Sequence, residues 1–274
     1  MRQYVGVLAL VVAACKPGDG AQAPTPAPTP SASVRPAPSA TARATASATS
    51  NGARSVAEET DDFMFEYAYP KEAGRIPELA AVLDTKLART RADLVAEATA
   101  ARRETRAAGF PYNKHSTVVK WKVVSDLPEW LSMSGDVANY SGGAHGIYGF
   151  DSLVWEKHAK DAFAGIELFQ SPAALDKALG PKLCQALDKE RAKRRGSAVT
   201  KGSAAEFDKC ISVKQATVLV GSRGRAKFDR ITVQFGPYVA GPYAEGAYEL
   251  AFPVDRAVLA AVKPEFTDAF AARN

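Results

Sequence analysis

Three histidines, His115, His145 and His158, are the side chains best suited to move a proton or to ligate a metal in this sequence. None stands in a His-Glu-x-x-His or His-x-x-Glu-His pattern, and none has a second histidine within helical reach, so the spacing that puts two imidazoles on one zinc ion is missing. A Gly-x-Ser-x-Gly elbow and a phosphate-binding glycine loop are missing too. The run GSRGRAK from Gly221 joins two strand-like segments and reads as a hairpin turn. We therefore expect no metal and no cofactor, and any catalytic site would have to be dispersed, with His145 in it.

His145 lies in YSGGAHGIYGF, residues 140–150, among Gly142, Gly143 and Gly146. Glycine belongs where the backbone needs positive φ or where another chain comes close. The segment is then either a tight connection between strands with His145 as a satisfied polar group, or a loop that presents Tyr140, His145 and Tyr148 to a partner. Gly142 and Gly143 read as structural; His145 stays open between the two. A second segment of the same kind is FGPYVAGPYAEGAYEL, where Tyr238, Tyr243 and Tyr248 alternate with glycines and prolines, Gly246 among them. Its prolines cannot donate ladder hydrogen bonds, so it is a shaped loop between strands. Tyrosines on such a loop either form a binding face of large area at small entropic cost or are buried to lock the loop; the sequence favours neither.

Two further residues with chemistry are Cys184 and Cys210. In an exported chain they most simply form a disulfide, with two buried free thiols as the alternative, and the bond would contribute roughly 3 kcal/mol by loop-closure entropy. No third and fourth ligand stand near enough for zinc.

The elements that must position these residues follow from periodicity. DFMFEYAYP alternates Phe63, Phe65, Tyr67 and Tyr69, the period of a half-buried strand. From Pro77 to Gly109, leucines 79, 83, 87 and 94 recur at helical spacing, predicting one long amphipathic helix. STVVKWKVVSD, LSMSGDVANY, with a bulge expected at Gly135, and GFDSLVWE predict an antiparallel meander against that helix. The second half repeats helix then strands. Ser171 and Pro172 open a helix, PKLCQALDKERAKRRG continues it with KERAKRR as its solvated basic end, and QATVLVG, FDRITVQFG and AYELAFP are strands. Asp255 caps a last short helix. The expected fold is α+β: two consecutive helix-plus-antiparallel-strand units packed into one body, 59–164 and 165–274.

Residues 1–15, MRQYVGVLALVVAAC, combine Arg2, an apolar run and a cysteine. The run is shorter than the roughly 20 residues a membrane span needs, and reads as a signal peptide ending at a lipidated Cys15. Residues 16–58 are rich in Pro, Ala, Ser and Thr and predict a disordered tether. The junction resembles that of bacterial lipoproteins, which implies a periplasmic chain on a lipid anchor, and by the same resemblance Lys16 after the cysteine favours the outer membrane. The net charge is +5, yet past residue 58 thirty cations face twenty-eight acids, so the body is only about +2 and nucleic acid is not an expected partner.

Together, Y-S-G-G-A-H-G before a strand, G-I-E-L-F before a helix, and F-G-P-Y-V-A-G-P-Y-A-E-G before a strand and short helix resemble the paired extracytoplasmic module of RsiV-type anti-sigma factors, the lysozyme-receptor ectodomain, also found beside peptidoglycan deacetylase domains. The resemblance spans roughly Asp61 to Phe270. It implies an α+β fold and a binding role in the cell envelope, and carries over no catalytic residue. The sequence shows neither a sigma-binding segment nor a spanning helix, so a stand-alone lipoprotein is expected. The functional expectation is a non-enzymatic, lipid-anchored module that contacts peptidoglycan or an envelope protein such as a lysozyme-like enzyme. The alternative is an envelope hydrolase or deacetylase with a dispersed site including His145.

Overall fold

The computed structural model describes residues 43–48, 51–200, 202–203 and 205–273. The signal peptide, Cys15 and residues 16–42 of the tether lie outside the described residues. From Arg43 onward the described chain belongs to one compact unit.

The first sheet has seven strands in sequence order: β1 (Arg43–Ala48), β2 (Arg54–Glu59), β3 (Phe63–Tyr69), β4 (His115–Asp126), β5 (Trp130–Tyr140), β6 (Ile147–Glu156) and β7 (Asp161–Phe163). Ordered structure thus begins before residue 59. β1 and β2 pair antiparallel inside the segment expected to be a tether, because backbone ladder bonds with a neighbouring strand need no large side chains. Between β3 and β4 come a single turn, α1 (Lys71–Gly74), and the long helix α2 (Pro77–Ala107). Pro77 sits in the first turn of α2, and Gly109 follows its end at φ +73°. Leu79, Leu83, Leu87, Leu94 and Ala98 form its buried stripe. The stripe covers the inner face of the sheet, where Phe65, Tyr67, Trp121, Met133 and Trp155 are buried.

Two details of this half differ from the sequence reading. β3 and β4 run parallel, joined by the α2 crossover, so the sheet is mixed and the first unit is not purely antiparallel. The bulge falls between Val123 and Ser125, not at Gly135. Gly135 stays in regular register opposite Trp121, and a Cβ there would stand 3.3 Å from the indole. The glycine makes room for a ring that lies across the neighbouring strand.

The second half contributes α3 (Pro172–Leu179), α4 (Pro181–Arg195), the antiparallel strands β8 (Thr217–Gly221), β9 (Arg230–Phe235) and β10 (Tyr248–Pro253), and α5 (Arg256–Ala261). Both expected caps form: Ser171 accepts from the Ala174 amide at 3.0 Å and Asp255 from the Val258 amide at 3.0 Å. Cys184 and Cys210 are joined, which ties α4 to the segment leading into β8. The second core is not separate property of this half. Leu127, Trp130 and Val154 from the first half are part of it, and the Trp130 ring meets Phe228 and Phe266 edge-on. The fold is α+β with two sheets.

Candidate functional site

The two glycine-rich aromatic loops meet. Residues 141–146 connect β5 to β6 and carry His145; residues 236–247 connect β9 to β10 and carry Tyr238 and Tyr243. In the first loop Gly142 has φ +84°, and the Asn113 side-chain amide donates to its carbonyl at 2.9 Å. A Cβ on Gly146 would stand 2.9 Å from the Asn139 carbonyl oxygen, so this position must be bare. Gly143 faces open space and does not have a positive φ, so the structural role expected of it is absent.

His145 is exposed, with both ring nitrogens engaged. Nδ1 lies 2.9 Å from the Gly146 carbonyl oxygen and Nε2 lies 3.2 Å from the Tyr238 hydroxyl. A carbonyl only accepts, so in the neutral imidazole the proton sits on Nδ1 and Nε2 keeps the lone pair that accepts from Tyr238. Tyr243 stacks on the imidazole with centroids 4.1 Å apart, and Tyr238 lies 5.5 Å from Tyr243. Tyr238 is half exposed and holds φ +66°, a left-handed conformation that a bulky residue rarely adopts. Strain of this kind costs about 1 to 3 kcal/mol and persists only where the surroundings impose it. Tyr148 meets Tyr243 edge-on, and its hydroxyl oxygen accepts from the Ala247 amide at 3.0 Å.

Beneath the second loop lies a charged layer. Arg195 holds Glu245 through two nitrogens, at 2.7 and 3.1 Å, and Asp208 at 2.7 Å. Arg194 donates to the carbonyls of Glu245 and Ala247, and the fully buried Arg191 donates to that of Ala240 at 2.9 Å. Tyr248 donates to the Glu245 carboxylate, and the Arg194 guanidinium sits 3.9 Å over its ring. Burial pushes the Tyr248 hydroxyl up to about 12, with the Glu245 carboxylate adding to the shift. Burial alone would raise Glu245, but the hydrogen bonds from Arg195 and Tyr248 outweigh it and hold the carboxyl below its ordinary value.

The structure therefore sorts the residues singled out from the sequence. His145, Tyr148, Tyr238 and Tyr243 form one cluster. Tyr248 is fully buried and is a support of the loop rather than part of its face; Gly246, at φ +70°, turns the chain into it. Tyr140 is half-buried beside the cluster, in a groove described below. His115 is buried and stacks on Tyr112, while His158 is exposed near Glu129, so the three histidines do not converge. Among the described residues no three His, Cys, Asp or Glu side chains come together in a way that could hold a metal ion. The arginines of KERAKRR were missed as site residues. Their i, i+3 and i+4 spacing puts Arg191, Arg194 and Arg195 on one helix face, but that spacing does not tell a buried face from a solvated one.

Residues 56–148 match the protein family described as Deacetylase PdaC, about a third of the chain. No curated protein matches. Two solved structures are similar over most of their length. A DUF3298 family protein from Pseudomonas aeruginosa PAO1 has 17% identity and a TM-score of 0.46, with 85% of this chain and 97% of that one covered. A DUF3298 member from Bacteroides fragilis has 14% identity and a TM-score of 0.38, with 78% and 90% covered. The family match overturns the expectation of a non-enzymatic module: the segment from within β2 to the first residues of β6, with the His145 loop inside it, is similar to a family described by a deacetylase activity. The deacetylase side of the resemblance thereby gains support at the level of a distant, partial similarity.

Proposed function

We propose that this chain is a deacylating hydrolase of the cell envelope that acts on acylated amino sugars of wall glycan, with His145 and Tyr238 as its proton-handling pair. The observation that carries the reading is the imidazole whose Nδ1 is pinned by a carbonyl while Nε2 faces the hydroxyl of a strained, exposed tyrosine. A base oriented by a third group is the arrangement general-base catalysis requires. The match to a deacetylase family supports the reaction class.

Nε2 takes a proton from a water molecule, whose oxygen adds to the acyl carbonyl carbon. The Tyr238 hydroxyl, released from Nε2, donates to the oxygen that becomes negative. The protonated imidazole then returns its proton to the leaving nitrogen, giving a carboxylic acid and a free amine. The sugar ring lies on the exposed face of Tyr238, since flat apolar ring faces pack on aromatics. On this reading the chain is exported, processed at Cys15 and held on a lipid anchor at the periplasmic side of the outer membrane, within reach of peptidoglycan.

Acetate release from N-acetylglucosamine oligomers and from purified peptidoglycan tests the proposal. His145→Ala lowers the rate by about 10²- to 10⁴-fold and Tyr238→Phe by about 10²-fold, with unchanged thermal unfolding in both. A wild-type rate no higher than the blank, or a His145→Ala rate equal to wild type, overturns it.

A further inference from the structure

Beside the His145 cluster the outer face of the first sheet carries a groove that the reaction as described does not use. β4, β5 and β6 place Val118 opposite Ala138 and Ala138 opposite Tyr148. Side chains directly opposite across a sheet share a face. This face is turned away from α2, because Val119, the neighbour of Val118, is buried in the core beneath that helix. In the adjacent row Ser116 stands opposite Tyr140. Two short side chains, Val118 and Ala138, therefore lie in one row beside Tyr148 and next to the row that ends in Tyr140, and the difference in height leaves a trough of about 230 Å³. Tyr148, one of the exposed large hydrophobics of the chain, stands along it. No ionisable acid or cation lines it. It is continuous with the site, since Gly146 and Tyr243 line the groove and also flank or stack on His145.

We propose that this groove receives the hydrocarbon tail of the substrate's acyl group, so that the site takes amino sugars acylated with chains longer than acetyl. The inference rests on the deacylase reading. An acetyl methyl would leave most of the trough unfilled, whereas an unbranched chain lying across Val118 and Ala138 covers apolar surface that is otherwise wet. Each methylene that enters contributes the ordinary gain of apolar burial, roughly a fourfold rise in kcat/KM, until the trough is full.

The test is a series of N-acyl glucosamines, acetyl, butyryl, hexanoyl and octanoyl, turned over by the full mature chain. In parallel, binding of the acetyl and hexanoyl compounds to His145→Ala is followed through the Val118 methyl signals by NMR. The expected result is kcat/KM rising from acetyl to hexanoyl, tighter hexanoyl binding, and a hexanoyl-specific shift of the Val118 methyls. Ala138→Phe, which fills the trough, lowers the ratio of hexanoyl to acetyl turnover at least tenfold. Acetyl turnover with no gain along the series and no Val118 shift overturns the groove while leaving the deacylase reading intact. A hexanoyl-specific Val118 shift without turnover by the wild type supports the groove and removes the hydrolase. Should Ala138→Phe not fold, the wild-type series and the Val118 signals decide alone.

Discussion

The loop of residues 141–146 and the loop of residues 236–247 meet at His145, yet they are held in opposite ways. The first rests on one side-chain bond from Asn113, on the positive φ of Gly142 and on the bare Cα of Gly146. The second is fastened from below by three arginines of α4, by the Glu245 and Tyr248 pair, and through Asp208 by the segment that the disulfide ties down. Bidentate and charge-assisted bonds of this sort fix direction as well as distance. The difference teaches a division of labour: the platform of Tyr238 and Tyr243 is tied down by many side-chain bonds from below, and the loop bearing the imidazole is shaped mainly by its own glycines.

The contrast can be broken most severely at the disulfide. Cys184→Ser with Cys210→Ser opens a link across 26 residues and should lower unfolding free energy by roughly 3 kcal/mol in urea titration. If hydrogen exchange then rises in residues 141–146 as much as in 236–247, the two loops are not held independently. Arg195→Ala comes next, at about 2 kcal/mol, because it leaves Glu245 largely buried without its cation. Its pH dependence has a defined sign. Glu245 is held below the ordinary carboxylate value, so its contribution is complete above the unfolded value and fades as pH falls through the depressed one. The stability advantage of wild type over Glu245→Gln should therefore shrink as the pH falls into and below the ordinary carboxylate range; an advantage that grows on acidification contradicts the Arg195 pairing. Smallest is Gly142→Ala, about 1 kcal/mol by chemical denaturation, since only the left-handed backbone is penalised. A cost equal to that of Arg195→Ala would erase the distinction between the loops.

Much of the scaffold could be read from local pattern. The leucine stripe of α2, the alternation of β3 and the caps at Ser171 and Asp255 all depend on neighbours in sequence, and all appear as expected. What pattern alone does not encode is partner and direction. A period of two is the same for parallel and antiparallel strands, so the β3 to β4 pairing was missed, and β1 and β2 have too few large side chains to announce a sheet. The two loops were legible as loops because glycine, proline and tyrosine cluster in both. Their meeting was not, since His145 and Tyr238 are 93 residues apart. Likewise KERAKRR reads as a solvated end by charge, and only the fold shows Arg191 buried under Ala240.

The parallel pairing of β3 with β4 also sets an order of events when the chain folds. β4, β5 and β6 follow one another through short connections and pair locally, whereas Phe63 meets His115 only after the whole of α2 has been laid between them. Non-local closure is slow relative to hairpin formation. During that interval the β4 edge destined for β3 offers unpaired amides and carbonyls beside uncovered Val119 and Trp121, a ready template for another chain. The hazard to this protein at high concentration is thus concentrated on one strand edge, and arrival of β3 and α2 is the step that removes it.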